Sequence, residues 1–222
     1  MGTADTKNGH LVVNNSNNTP KPSVERARYV RKQPRAIATH ERVVSGSAKL
    51  FDEIGFAATS ITDMIDSTGL SKGAVFYHFA SKEAIAQHIV GRWSEAVTGE
   101  FAVAALSAES VPTKLRVVFT SLAERVSGDV PCRAGLKLGL DSGVEGAADA
   151  YRHFMEMASA LVGCGIDDGT FLDEPRTRRL AFNLCSGFTA AVLLGGMEAG
   201  GPDLVTRVED VVTAHLAAVS AP

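Results

Sequence analysis

The sequence predicts an all-α protein: an N-terminal three-helix domain containing a helix-turn-helix, followed by a larger helical bundle. Two observations carry this. Apolar residues return every three to four positions along most of the chain, and no stretch alternates with the period of two that marks a half-buried strand. The early helix ends are also written locally, with Ser or Thr before each helix and Gly after. The chain has 222 residues, of which 45% are apolar and 21% charged. Those are ordinary values for a globular protein able to bury a large core.

Residues 1–33 are rich in Asn, Thr, Lys and Arg and hold few large apolar groups, which predicts a disordered basic arm. It is either a plain polar tail or an arm that touches a polyanion. Between Lys21 and Val43 seven Lys and Arg stand against two Glu, a local charge of +5 in a chain whose net charge is −3. A basic end on an acidic body suits a protein that presents one end to phosphates.

The helix-turn-helix domain is expected over 34–80. From Arg35 to Ile54, residues Ile37, Val44, Ala48 and Phe51 fall on one helical stripe, with Val43, Leu50 and Ile54 beside it. Gly46 inside this helix costs about 1 kcal/mol relative to Ala, which predicts close packing against a neighbour. Gly55 ends the helix. Thr59-Ser60 caps a short second helix through Ile61, Met64 and Ile65 to Gly69. Ser71 caps a third, from Lys72 to about Phe79. Ser81 caps a fourth, with Glu83 in its first turn, running through Trp93 toward Leu106.

Residues 81–222 form the predicted larger domain. Helices are expected from Pro112, over about Cys132–Leu140, over Gly146–Val162, and over about Glu174–Leu194 and Asp203–Val219. Gly163, Gly165 and Asp167-Asp168-Gly169 read as a turn. None of the eight prolines is expected inside a long helix. Leu180, Leu184, Phe188 and Val192, with Val205, Val208, Val212 and Leu216, make apolar stripes that fit a four-helix interface between two copies. The alternative is that both stripes bury within one subunit. Trp93, Phe119, Phe154 and Phe188 are candidates to line a ligand cavity between helices, with Met155, Met157, Phe182 and Met197 as further candidates. Taken one at a time, each reads first as a residue that simply fills the core.

The chemistry of an enzyme is missing from the pattern. There is no P-loop, no GxGxxG after a strand, no HExxH and no GxSxG, so no catalytic residue and no cofactor are expected. Three cysteines without a CxxC pair, and six scattered histidines, predict no metal site. No apolar run approaches the roughly 20 residues that cross a bilayer, and no signal peptide is evident. No membrane partner and a reducing cytoplasm are therefore expected.

The informative segment is Ser60 to Phe79, two short helices meeting at a tight turn on Gly69. In such a motif the second helix enters the major groove by its N-terminal end. That end carries Ser71, Lys72, Gly73 and Ala74, small or flexible residues that let the backbone approach. Thr59 and Ser60 are placed to touch the flanking phosphates.

The stretch from Thr39 to Ile89 resembles the DNA-binding region of the TetR family. The shared features are Leu50-Phe51, Gly55-Phe56, Thr59-Ser60, Gly69-Leu70-Ser71-Lys72-Gly73 and His78-Phe79-Ala80-Ser81-Lys82-Glu83. Ile65, Lys72-Gly73-Ala74 and the run Phe79 to Gln87 resemble the γ-butyrolactone (A-factor type) receptor subgroup. The resemblance implies a homodimer that binds a palindromic double-stranded operator and is released by a small apolar effector. It implies that Ser71, Lys72 and Gly73 lie on the groove-reading helix, that His78 follows it, and that Lys82 meets a phosphate. Where the family has tyrosine before a second aromatic, this chain has Phe76 before Tyr77, so the phosphate-bonding hydroxyl passes to Tyr77 or is lost. Where the subgroup places a tryptophan against its ligand, this chain has Phe154. A γ-butyrolactone, a furan, a butenolide or an antibiotic all remain open as effector. A regulator with the same head and no ligand is the alternative.

Overall fold

The computed structural model describes residues 24–195 and 201–219, with side chains described from residue 34 on. Residues 1–23, which hold most of the predicted arm, lie outside the described residues, as does Met197. The chain divides into two compact units, residues 1–37 and 38–222.

In the first unit, α1 (Val24–Ala58) has already begun at Val24, and Pro34 sits inside it. The irregular arm predicted to residue 33 is thus corrected from residue 24 on. Arg, Glu, Lys, Gln and Ala dominate that segment and are good helix formers, so low apolar content did not prevent a helix. Ile37, predicted on the buried stripe, is 64% exposed.

The second unit begins with the rest of α1, whose helical geometry breaks at Gly55. Val43, Val44, Ala48 and Phe51 are buried, as their spacing required. Next come α2 (Ile61–Thr68) and α3 (Lys72–His78), which complete the head. The body follows as α4 (Lys82–Leu106), α5 (Val111–Gly128), α6 (Val130–Leu138), α7 (Ala147–Asp167), α8 (Pro175–Arg178), α9 (Leu180–Leu194) and α10 (Leu204–Ala217). No strand occurs among the described residues. α4 leaves the head and packs on α6, α7 and α5, while α10 packs on α5 and α9, and α9 on α7.

Three local expectations change. α7 runs through Gly163 and Gly165 to Asp167, so the turn begins only at Asp168, whose carboxylate accepts a hydrogen bond from the Thr170 N–H. The long helix expected from Glu174 is divided at Arg179 into α8 and α9. The third change is the larger one. Leu180, Leu184, Phe188, Val192, Val208, Val212 and Leu216 are buried inside one chain, and Val205 is half-buried. They close the subunit's own core, because α9 and α10 pack on each other and on α5 and α7. The outward face of α9 instead shows Phe182, Leu193 and Leu194, exposed by 60, 45 and 56%. Phe182 is therefore no cavity-lining residue.

Candidate functional site

The head is assembled from local signals. Ser60 caps α2: its hydroxyl accepts the Asp63 N–H, while the Asp63 carboxylate accepts both the Ser60 N–H and its O–H. Those bonds to Ser60 hold the Asp63 carboxyl below its usual range. Gly69, at φ 61°, takes the left-handed conformation that ends α2 and allows the tight turn. Arg42 on α1 donates to the Thr68 carbonyl at 2.6 Å, tying that turn to the first helix. Where α1 meets α2, a Cβ on Gly46 would stand 2.5 Å from Thr68 Cγ2. The packing expected of Gly46 is thus a contact between α1 and the end of α2.

Ser71 caps α3, its hydroxyl accepting the Ala74 N–H at 3.2 Å. Val75 and Phe79 are buried and anchor the helix. The opposite face is open. Ser71, Lys72 and Gly73 are exposed, Phe76 is 41% and Tyr77 81% exposed, and the Lys72 ammonium lies 5.9 Å from the Phe76 ring centre. The phenol that points outward is Tyr77's. His78 is half-buried and turned toward the junction with the body, its ring 5.7 Å from that of His40. Burial, and then the neighbouring His40, keeps its pKa below the ordinary histidine value.

Two predicted phosphate ligands turn out to serve the head itself. Thr59 is only 2% exposed, and its hydroxyl donates to the Gly55 carbonyl at 2.7 Å. It closes the α1–α2 corner and has no surface to offer. Lys82 donates to the carbonyls of Phe56 and Thr59 at 2.9 and 3.0 Å, with its ammonium 4.1 Å from the Phe56 ring centre. A cation on the carbonyls that follow a broken helix satisfies acceptors left without intrahelical donors. Ser60 stays exposed, with its hydroxyl proton engaged by Asp63.

Ion pairs join head and body. Asp52 near the end of α1 pairs with Arg133 at 3.0 Å and Lys137 at 2.7 Å, both on α6. Burial opposes ionisation of Asp52, but the hydrogen bonds and charges of Arg133 and Lys137 outweigh it and hold the carboxyl below its usual range. Glu41 on α1 pairs with Arg92 on α4. His40 packs on Phe79 and on His88 of α4.

The body brings its four candidate rings together. Trp93 of α4, Phe119 of α5, Phe154 of α7 and Phe188 of α9 are each fully buried. Phe154 stands edge-on to Trp93 with ring centres 5.3 Å apart, and Phe188 stacks on Trp93 at 5.9 Å. Phe119 meets Phe154 and Phe188 at 5.7 and 6.0 Å. The indole N–H of Trp93 has no hydrogen-bond partner among the described residues, a state that costs about 1–3 kcal/mol. Sequence reasoning chose these rings by type and helical position. The unpartnered donor among them is a product of packing and had no signal in the sequence.

No group of His, Cys, Asp and Glu able to hold a metal occurs among the described residues. Cys132 and Cys185 are buried, and burial pushes the Cys132 thiol up to about 12. No described helix is long and apolar enough to cross a membrane.

Residues 43–89, which include the whole turn and the exposed helix α3, match the bacterial regulatory proteins of the tetR family. Over that segment the chain is similar to the tetR family. The A-factor receptor protein of Streptomyces griseus is 25% identical to it over 192 residues, 86% of this chain and 67% of that receptor. The fold matches a solved γ-butyrolactone receptor described as ArpA-like, with a TM-score of 0.66 and 20% identity over 83% of this chain and 99% of that one. Full-length TylP, a tetR regulator from Streptomyces fradiae, matches with a TM-score of 0.62 and 25% identity over 83% and 87% of the two chains.

Proposed function

We propose that this chain is a cytoplasmic repressor that binds a palindromic operator as a homodimer and lets go when a small apolar effector enters its body. The observation that carries the reading is the exposed face of α3. Ser71, Lys72, Gly73 and Tyr77 stand open to solvent while Val75 and Phe79 fix the helix from behind. A short helix held this way, N-terminal end outward, is what major-groove insertion requires. Two such helices about 34 Å apart would read a two-fold site. The outward apolar face of α9 at Phe182, Leu193 and Leu194 is the surface on which a second copy would pack.

The buried rings favour an apolar effector, and the described γ-butyrolactone receptor of the same fold makes a lactone the first class to test. Entry of a ligand among them would displace α4, which carries the head's Lys82 anchor at its other end. A coupling of about 1–3 kcal/mol would lower operator affinity roughly 5–150-fold.

The test is an electrophoretic shift with the DNA upstream of the protein's own gene, with and without a small-molecule extract of the producing cell. A shift that the extract abolishes supports the sensor. A shift indifferent to it supports a regulator without ligand, and no shift at all removes the repressor reading. Lys72→Ala should flatten operator preference, with a loss of about 1–3 kcal/mol of base discrimination. Unchanged preference at fixed salt would remove Lys72 from the reading helix.

A further inference from the structure

We propose that His40, His78 and His88 form a proton-operated joint behind α3: neutral rings hold the helix in place, and acidification releases it and weakens DNA binding. The weakening of DNA binding rests on the repressor reading above and adds to it a regulation by pH.

Three helices meet at this point, and each contributes one imidazole. His40 comes from α1, His78 ends α3, and His88 lies early in α4. His40 stands edge-on to both partners, with ring centres 5.7 Å from His78 and 4.9 Å from His88. Buried Phe79 packs on His40 at 4.8 Å and on His88 at 5.5 Å, so an apolar ring closes the cluster from one side. All three imidazoles are half-buried. The exposed Tyr77 ring touches His78 at 5.1 Å, which puts the joint one residue from the open face of α3.

Such a place accommodates protons poorly. The charged and titratable groups around the rings are Glu41 on α1, Tyr77 on α3, and Arg92 and Glu95 on α4. Glu41 lies 3.8 Å from His40 Nδ1, but Arg92 already holds that carboxylate. Arg92 also opposes a charge on His88 more than either Glu41 or Glu95 favours it. An imidazolium carries N–H on both nitrogens. Nε2 of His88 is buried with no hydrogen-bond partner among the described residues, so an added N–H there would find no acceptor. Burial first, and His40 next, keep both His78 and His88 below the ordinary histidine value of 6.5.

A conformation that frees the rings binds more protons below pH 6.5 than the closed one, so acid favours it. His78 has the shortest way out. Its helix α3 has seven residues, anchored by buried Val75 and Phe79, whereas His40 and His88 belong to helices of 35 and 25 residues. Expulsion of His78 therefore moves α3 while the body stays folded. A histidine that met a phosphate directly would behave in the opposite way, because DNA would favour its charged form.

The experiment follows amide hydrogen exchange by mass spectrometry between pH 8 and 5.5, corrected for the intrinsic pH dependence of exchange. Residues 71–79 should lose protection below pH 6.5 while α7 keeps its own. Affinity for the DNA upstream of the protein's own gene should fall about tenfold over that range at fixed salt, the effect of one proton across one pH unit. His40→Phe and His88→Phe each keep an aromatic ring and remove a titrating site. Each should leave α3 protected at pH 5.5 and limit the fall in affinity to about threefold. Equal protection of α3 at both pH values in the wild-type chain, loss of protection in α7 together with α3, or both variants responding like the wild type would overturn the joint. So would an affinity that rises on acidification. A fragment left unbound at every pH would overturn the repressor reading and the DNA half of the proposal, and exchange in α3 would still decide the joint.

Discussion

Replacing Lys82 by methionine removes a cation and keeps most of its aliphatic stem. The ammonium donates to the Phe56 and Thr59 carbonyls at 2.9 and 3.0 Å and stands 4.1 Å from the Phe56 ring centre. Hydrogen bonds to a charged group contribute about 1.5–3 kcal/mol each, and a surface cation–π contact about 0.5–1 kcal/mol. The side chain is half-buried, so the two carbonyls regain water in the variant and solvent already weakens the charge. That discount leaves a loss of about 2 kcal/mol. For a chain of this length each kcal/mol moves Tm by roughly 2–4 °C, so Lys82→Met should melt about 4–8 °C lower by calorimetry. If Lys82 acted instead as a phosphate ligand, Tm would hold and the slope of log K against log salt would become shallower by about one. The structure predicts the reverse: a lower Tm and an unchanged slope. An unchanged Tm with the shallower slope would refute the anchoring role.

Gly46→Ala should destabilise the head by about 1 kcal/mol despite its better helix propensity, because overpacking at a rigid site costs about 1–3 kcal/mol. Its Cβ would meet Thr68 Cγ2 at 2.5 Å, and Thr68 is locked by its bond to the Met64 carbonyl. Thr68→Ser in the same chain should restore stability, and a denaturant titration that finds Gly46→Ala neutral would dismiss the contact. Stability should also fall in two stages on acidification. His78 and His88 have pKa values lowered by burial first and by His40 next, from an ordinary 6.5. The unfolded chain therefore binds more protons below about pH 6.5, and stability declines as pH falls through that window. Asp52 is lowered from 3.8, so its share is present above that value and lost as pH falls through the folded pKa. Urea midpoints that stay flat between pH 7 and 5 would contradict the first stage.

Much of the head was legible because its signals are local. Ser60, Ser71 and Ser81 cap the helices they precede, each accepting a backbone N–H from three residues on. The spacing of Val44, Ala48 and Phe51 named the buried face of α1. The misses come where meaning depends on what arrives from elsewhere in the chain. Thr59 and Lys82 look like surface contacts until the end of α1 supplies the carbonyls they bind. α9 is apolar on both faces, with Leu180, Leu184 and Phe188 inside and Phe182, Leu193 and Leu194 outside. Periodicity finds a stripe on such a helix but cannot say which one is covered by its own subunit. The same holds for the ring cluster, whose members were recognisable and whose unpartnered N–H was not.

Gly135 of α6 sits so close to α4 that a Cβ there would run into the Ile89 carbonyl oxygen and lie 2.9 Å from Trp93 Cβ. No yielding layer of side chain separates the two helices at that point, and close-packed interiors transmit displacement instead of absorbing it. α6 also carries Arg133 and Lys137, which grip Asp52. A shift of the backbone beneath Trp93 would therefore reach α1 through α6, the helix that holds Asp52. Under the ligand-responsive reading proposed above, α6 would be the clutch between body and head.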